Sequence, residues 1–106
     1  MIVYDKEIIK LIGTEGITYT GNIIKINKTE EEPNILLLTN QKLYNLKSKK
    51  IVKSKISIST IIGLTTSSQS DEFIIQYREN ENDFHYKSEN KRKIIQILSI
   101  KFYSIN

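Results

Sequence analysis

The sequence predicts a mainly β domain, in which seven antiparallel strands curl into a partly open barrel or sandwich capped by an amphipathic C-terminal helix. Three observations predict this fold. The chain has 106 residues, enough for one domain with a modest core, so we expect residues 1–106 to form one unit. Short apolar runs and two-residue alternation fill residues 17–87. After residue 87 the spacing of apolar residues lengthens to three and four, as in a helix. Curling would remove the long unpaired edges of a flat sheet.

The first three strands are indicated by composition and turn spacing. Residues 17–27 are rich in β-branched and aromatic side chains, which favour a strand. Residues 28–33 are polar and acidic and end at the only proline, so they predict a loop. The apolar run 34–39 and residues 42–46 are separated by two residues, the spacing of a tight hairpin. These two segments are the second and third predicted strands.

The fourth predicted strand, residues 51–58, follows a lysine-rich loop. Because side chains alternate along a strand, its residues divide between a core face and a solvent face. The apolar members of the core face are Val52, Ile56 and Ile58. Lys53 and Lys55 lie on the opposite face. The pattern therefore directs these two lysines away from the core.

Three more strands are predicted at residues 60–66, 71–77 and 83–87. In the last of these, Phe84 and Tyr86 alternate with polar neighbours and would face the core. The polar face carries Asp83, His85 and Lys87. The set of seven strands is then complete.

Helices are predicted at both ends. At residues 88–105, Ser88 fits an N-cap and the apolar residues recur at helical spacing. The stripe consists of Ile94, Ile95, Leu98, Phe102 and Ile105. Residues 1–14 form an N-terminal extension that predicts a short helix, with Asp5 as N-cap and Gly13 as its end. Its apolar side would hold Ile8, Ile9 and Ile12.

The charge of the chain is concentrated in its middle. Lys plus Arg number 16 and Asp plus Glu number 12, a net charge of +4. Residues 33–70 contain six lysines and no acid, so this block carries +6 and the remainder 4 − 6 = −2. The six are Lys42, Lys47, Lys49, Lys50, Lys53 and Lys55. Codon usage in an AT-rich genome explains the number of lysines as well as selection for binding does. It explains the absence of acidic residues from the same block less well.

The composition argues against an enzyme, a metal site and a membrane span. Cysteine is absent, which excludes disulfides, thiolate ligands and cysteine nucleophiles. The only histidine, His85, lies on the predicted polar face of its strand and would face solvent. The nearest carboxylate clusters, such as Glu30 to Glu32, lie in predicted loops and turns. No apolar run approaches 18 residues and no signal peptide is visible, so we expect a cytoplasmic protein without cofactor or metal.

Nucleic-acid binding is also not expected. Residues 12–16 (IGTEG) fit a phosphate-contacting GxxG loop, but Gly16 leads into a β-branched run and Glu15 would repel phosphate. A helix end followed by a turn is the simpler interpretation. The nine aromatic residues do not form an exposed platform on which bases could stack.

Three segments of the chain resemble a known family. They are LLLTNQKLYNL (36–46), SKISISTIIGLTTSSQSDEFIIQY (54–77) and DFHYKSENKRKIIQIL (83–98). Their order, with LTxxxLY, SDxF and SxxK motifs, resembles the tail homology domain of class I myosins and the PH-like modules of protist AGC-type protein kinases. The resemblance implies the pleckstrin-homology (PH) superfold.

In that family the open end of the barrel often binds phosphoinositide headgroups. The resemblance implies that the matching positions here lie around the first loop and in the lysine-rich loop. With the adjacent lysine of the fourth strand, the candidate residues are Lys25, Lys28, Lys47, Lys49, Lys50 and Lys53. The family typically has an arginine at the start of the second strand, where this chain has Pro33 and Asn34. Glu30, Glu31 and Glu32 add negative charge beside this end.

The sequence therefore predicts a non-catalytic PH-like module that binds acidic phospholipid or phosphoinositide and targets a larger protein or assembly to a membrane surface. The alternative is a protein-interaction or regulatory module, associated with a kinase or the cytoskeleton, that binds no lipid. Under either prediction the protein is peripheral to a membrane or to the cytoskeleton.

Overall fold

The computed structural model describes residues 5–28, 30–48, 51–78 and 83–105, with side chains as far as residue 100. A 3₁₀ turn at Ile58–Thr60 connects the fourth and fifth strands. The elements in chain order are α1 (Lys6–Ile12), β1 (Ile17–Asn27), β2 (Glu30–Thr39), β3 (Lys42–Leu46), β4 (Val52–Ser57), β5 (Ile61–Thr66), β6 (Glu72–Tyr77), β7 (Phe84–Lys87) and α2 (Lys91–Ile105). The seven strands and both helices confirm the predicted fold class.

All seven strands belong to one antiparallel sheet, with the order β4-β3-β2-β1-β7-β6-β5. The sheet curls into a half-barrel, and α2 packs against β5 and the 3₁₀ turn. β4 and β5 are the two edges of the sheet and are not paired with each other in the described part of the chain. The barrel is therefore open, as predicted.

The inner face of the half-barrel holds the main core. Leu36 and Leu38 of β2 are fully buried there, and Ile94 and Leu98 of α2 close it. Aromatic rings fill the β6–β7 side, where Phe84 stacks on Tyr86 at 5.5 Å between ring centroids. The apolar stripe of α2 thus serves packing, as its spacing predicts; the side chains of Phe102 and Ile105 lie outside the described residues.

The outer face of β2 and β3 is covered by α1. We call this packing the outer cluster; it consists of Ile8, Ile12, Ile35, Leu37, Tyr44 and Leu46. The cluster explains why the sequence of β2 is continuously apolar at residues 35–38, since both faces of the strand are buried there. Asp5 caps α1 by accepting a hydrogen bond from the Glu7 N–H, and Gly13 ends it with φ +63°, as predicted. The prediction for Ile9 is wrong, because its side chain is 57% exposed.

The predicted loop at residues 28–33 is also wrong. β1 is long enough to pair as far as Asn27 with Glu30, so the acidic residues belong to β2. Pro33 lies opposite Ile24 in this pairing. Its missing N–H is tolerated because β3 pairs with β2 only from Ile35 onward, which leaves the first half of β2 without a neighbour on that side.

A bulge corrects the prediction for the fourth strand. Leu46 pairs with Val52 but Asn45 pairs with Ser54, so Lys53 is the extra residue. As a consequence, Val52 packs on the outer cluster and Ile56 on the inner core, rather than both on one face. Ile58 is buried as predicted, but in the 3₁₀ turn that follows β4.

The start of the C-terminal helix also differs from the prediction. Ser88 does not cap α2 directly, because the helix begins at Lys91. The Ser88 hydroxyl accepts a hydrogen bond from the Asn90 N–H at 3.0 Å. Its carbonyl accepts another from the Lys91 N–H at 3.1 Å. Ser88 therefore stabilises the turn that leads into the helix.

Candidate anion-binding site at the open end of the half-barrel

Two connections meet at one end of the half-barrel, which we call the mouth. They are the turn between Asn27 and Glu30 and the loop between Leu46 and Val52. Because β1, β2, β3 and β4 are successive antiparallel neighbours, these connections lie at the same end of the sheet. The mouth is where the strands offer polar rather than apolar side chains to the inner face.

Lys25 lies on the inner face of β1 at this end. It is directly opposite Glu32 on β2 and Tyr86 on β7. Its ammonium lies 5.2 Å from the centroid of the Phe84 ring, within cation–π distance. Burial lowers the pKa of Lys25, the positive charge of Lys53 lowers it further, and Glu32 acts in the opposite direction. Lys25 is thus a half-buried cation whose charge is incompletely neutralised.

Glu32 lies between two cations in the mouth. Its Oε1 accepts hydrogen bonds from Lys53 Nζ at 2.8 Å and from Asn34 Nδ2 at 2.9 Å. The bond from Lys53 and then that from Asn34 lower the pKa of Glu32, and the charge of Lys25 adds to the shift. We call these residues the Lys25–Glu32–Lys53 cluster. The bulge in β4 accounts for the position of Lys53, which the alternating pattern directs away from the core.

A buried polar chain supports the cluster from below. Tyr86 donates its hydroxyl hydrogen to Asn45 Oδ1 at 2.7 Å, and Asn45 Nδ2 donates to Asn34 Oδ1 at 2.6 Å. All three side chains are buried. Burial raises the pKa of Tyr86, so the phenol remains a donor. Buried amides that are hydrogen-bonded in this way have fixed orientations, so Asn34 presents its N–H group to Glu32.

The sequence predicts Glu32 near this end of the barrel but not its contact with the lysines, and it does not predict Asn34, Asn45 and Tyr86 as members of this site. Polar residues at inner-facing positions of otherwise apolar strands were the available signal, since Asn34 is followed on the same face by Leu36 and Asn45 is preceded by Leu43. The buried amides end the apolar core at the mouth.

The predicted site lysines occupy different places. The structure brings Lys25 and Lys53 together around Glu32. Lys28 lies exposed in the β1–β2 turn with φ +54°, and Lys47 lies exposed just after β3. Lys49 and Lys50 lie outside the described residues. Lys28 and Lys47 therefore flank the mouth on its two connections without entering the cluster.

The three glutamates at the start of β2 also occupy different places. Glu31 points to the outer face, where its carboxylate lies 3.5 Å from Lys87 Nζ. Glu30 is exposed at the start of β2. Among the described residues, Glu32 alone of the three contacts the lysines of the mouth.

The only histidine of the sequence lies on the outer face of β7. His85 Nε2 lies 2.8 Å from Glu72 Oε1 on the outer face, so the histidine is paired rather than simply solvated. No group of three His, Cys, Asp or Glu side chains that could hold a metal ion occurs in the part of the chain that the structure describes. In the same part, no helix has the length and apolar character needed to cross a membrane.

A family model described as "unconventional myosin tail, actin- and lipid-binding" matches residues 4–104. No match is found among curated proteins. Among solved structures, the chain is similar to the DH/PH fragment of PDZRHOGEF in complex with human RhoA, with TM-score 0.75 and 13% identity over 92% of this chain and 32% of that one. The DH/PH domain of human ARHGEF11, in a ternary complex with human RhoA and its inhibitor, gives TM-score 0.73 and 12% identity over 86% of this chain and 30% of that one. This chain thus spans about a third of each structure, and these similarities show a shared PH fold alone.

Proposed function

This chain belongs to the unconventional-myosin tail family, and on that basis we propose that it is a non-catalytic PH-like module that binds phosphorylated or acidic lipid headgroups at its mouth. The lysines of the mouth would hold the headgroup and thereby attach a larger protein to a membrane surface. The module would act peripherally, at the membrane or at the actin cytoskeleton.

One observation carries the proposal. Two lysines, Lys25 and Lys53, lie around a single carboxylate on the inner face at the open end of the half-barrel. No carboxylate lies within salt-bridge distance of the Lys25 ammonium among the described residues. The cluster therefore carries a net charge of about +1 in a partly desolvated position, where an incoming anion would be stabilised.

The exposed lysines of the two connections would add a second, weaker contribution. Lys28 and Lys47 flank the mouth, and the sequence adds Lys49 and Lys50 to the same loop. Near an anionic leaflet each lysine contributes about 1 kcal/mol, and salt screens this attraction. The mouth would then select the headgroup while the surrounding lysines orient the domain on the bilayer.

Vesicle sedimentation with a matched pair of variants tests the proposal. The vesicles are phosphatidylcholine with and without phosphatidylinositol 4,5-bisphosphate. Lys25→Gln removes a cation from the mouth, and Lys87→Gln removes one from the outer face of the neighbouring strand β7. We expect Lys25→Gln to weaken binding about tenfold and Lys87→Gln to weaken it no more than about twofold. Absence of wild-type binding at low salt, or equal losses in both variants, would contradict the proposal.

Protein binding is the second candidate, because the family description names actin as well as lipid. The observation that favours it is the edge of the sheet at β5, which pairs only with β6 among the described strands and where Ile62 is 56% exposed. An unpaired strand edge can accept a strand from a partner. Co-sedimentation with filamentous actin, alongside vesicle sedimentation, separates protein binding from lipid binding. Ile62→Asp would reduce actin binding and leave vesicle binding unchanged. Lys25→Gln would reduce vesicle binding and leave actin binding unchanged.

A further inference from the structure

We infer that Glu32 is a built-in competitor for the anion at the mouth, and that a headgroup must displace its carboxylate before it can bind. This inference rests on the proposed function, and it names the regulation of that same site.

The Glu32 carboxylate already fills the role that a ligand oxygen would play. Its Oε1 accepts from both Lys53 and Asn34, at 2.8 and 2.9 Å, distances typical of charge-assisted hydrogen bonds. Lys25 is directly across the strand pair from it. An anion that enters the mouth must therefore replace this carboxylate or share its partners, rather than occupy an empty cradle.

The competitor is free to leave. The Glu32 side chain is 37% exposed and that of Lys53 is 38% exposed, so neither is held by packing. The buried chain from Tyr86 through Asn45 to Asn34 does not depend on Glu32. When the carboxylate swings into solvent, the Asn34 amide stays in position, and Lys53 loses the partner that a ligand oxygen would replace.

The exchange lowers the affinity of each anion by the same factor, because a ligand binds only the fraction of molecules in which Glu32 has left the cluster. The displaced carboxylate also keeps its negative charge near the bound ligand, which opposes a phosphomonoester of about −1.5 to −2 charges at least as much as a singly charged group. Removal of the carboxylate should therefore strengthen the binding of both kinds of headgroup.

The test uses two kinds of vesicle with equal total negative charge, phosphatidylcholine with phosphatidylinositol 4-phosphate and phosphatidylcholine with phosphatidylserine. Glu32→Gln is expected to raise the affinity for both surfaces by about the same factor, no more than about fivefold, because the Lys53–Glu32 ion pair is exposed. Glu31→Gln is the matched control, because it removes the same charge from the adjacent residue on the outer face. It should raise both affinities equally, by no more than about twofold.

A second measurement needs no variant and separates a membrane from a soluble source of phosphate. Addition of inositol 1,4,5-trisphosphate to the isotope-labelled wild-type chain should move the carboxyl carbon resonance of Glu32 toward that of an unpaired glutamate and leave that of Glu31 unchanged. If vesicles bind but the soluble phosphate moves neither resonance, the competitor role of Glu32 is wrong.

Other outcomes separate this inference from the function on which it rests. Equal effects of Glu32→Gln and Glu31→Gln on the two affinities would overturn the competitor role while wild-type lipid binding stands. If neither the wild type nor Glu32→Gln binds either surface, the proposed function and this inference fall together.

Discussion

Two glutamates on opposite sides of the β2–β3 region hold comparable numbers of hydrogen bonds and serve different ends. Glu15 accepts from the hydroxyls of Thr39 and Tyr44, at 2.6 and 3.1 Å, and its side chain is only 10% exposed. Glu32 accepts from Lys53 and Asn34 and is 37% exposed. Glu15 joins the segment after α1 to the β2–β3 hairpin. It also lies 3.9 Å from the Lys42 ammonium, and its removal would take away the acceptor of the buried Tyr44 hydroxyl. Glu32 has the exposed Lys53 as its partner. Lys53 can therefore exchange the Glu32 carboxylate for another anion.

The partner and the burial of each carboxylate therefore decide its role, rather than its hydrogen bonds alone. The outer cluster is a second core that fixes α1 and the strands beneath it. The mouth is a polar end of the inner core that retains mobile charges. Substitutions in the first region should therefore act on stability, and substitutions in the second should act on binding.

The largest effect should come from the outer cluster. Leu37→Ala removes a fully buried side chain between β2 and α1 and should lower the free energy of unfolding by about 2–5 kcal/mol, measured by urea denaturation. Ile9→Ala, on the exposed side of α1, is the control and should change it by no more than about 0.5 kcal/mol. A loss below about 1 kcal/mol in Leu37→Ala would show that α1 does not form a second core.

Substitution of the two glutamates should give a smaller difference in stability. Glu15→Gln replaces a charged acceptor of two hydroxyl groups with a neutral amide and should cost about 1–2 kcal/mol of stability. Glu32→Gln should leave the unfolding midpoint almost unchanged, because its ion pair is exposed. The same urea titration measures both variants. A greater destabilisation by Glu32→Gln than by Glu15→Gln would reverse the assigned roles.

The smallest expected effect is the change in stability when acid protonates Glu32 in the mouth. Since the pKa of Glu32 is lowered from its ordinary 4.5 by Lys53 and Asn34, its contribution to stability is present above pH 4.5 and lost as the pH falls through the lowered value. In a carbon-detected NMR titration, Glu32 should titrate below 4.5, and Lys53→Gln should move its midpoint upward. An unchanged midpoint in Lys53→Gln would show that the lysine is not the main partner in solution.

The sequence predicts features of the fold that depend on local signals, but not those that depend on tertiary packing. The bounds of β1 and β3 follow from β-branched composition and a two-residue turn, both of which are local. The exposed position of Ile9 and the bulge at Lys53 depend on which element packs against which, and local alternation does not contain that information. An unbroken apolar run such as that of β2 does signal burial on both faces, although it does not name α1 as the cover.

The lysines of the candidate site and the acidic residues near them were predictable, but the contact between Glu32 and the lysines was not. Lys25 and Lys53 stand out by residue type, and a resemblance to PH-like domains selects their end of the barrel. The role of Glu32 requires the register that sets it opposite Lys25, and this register is visible only when β2 begins at Glu30 rather than after Pro33. The Asn34–Asn45–Tyr86 chain likewise joins three strands, so no single segment reveals it.

Headgroup binding at the mouth is tested most directly by an amide NMR map of the wild-type chain during titration with inositol 1,4,5-trisphosphate. We predict that the resonances of Lys25, Glu32, Lys53 and Phe84 shift together with one affinity. Those of Ile8, Ile12 and Leu37 in the outer cluster should remain in place. Shifts centred on the edge strand β5, or no shifts at millimolar ligand, would contradict the claim that the mouth binds anionic headgroups.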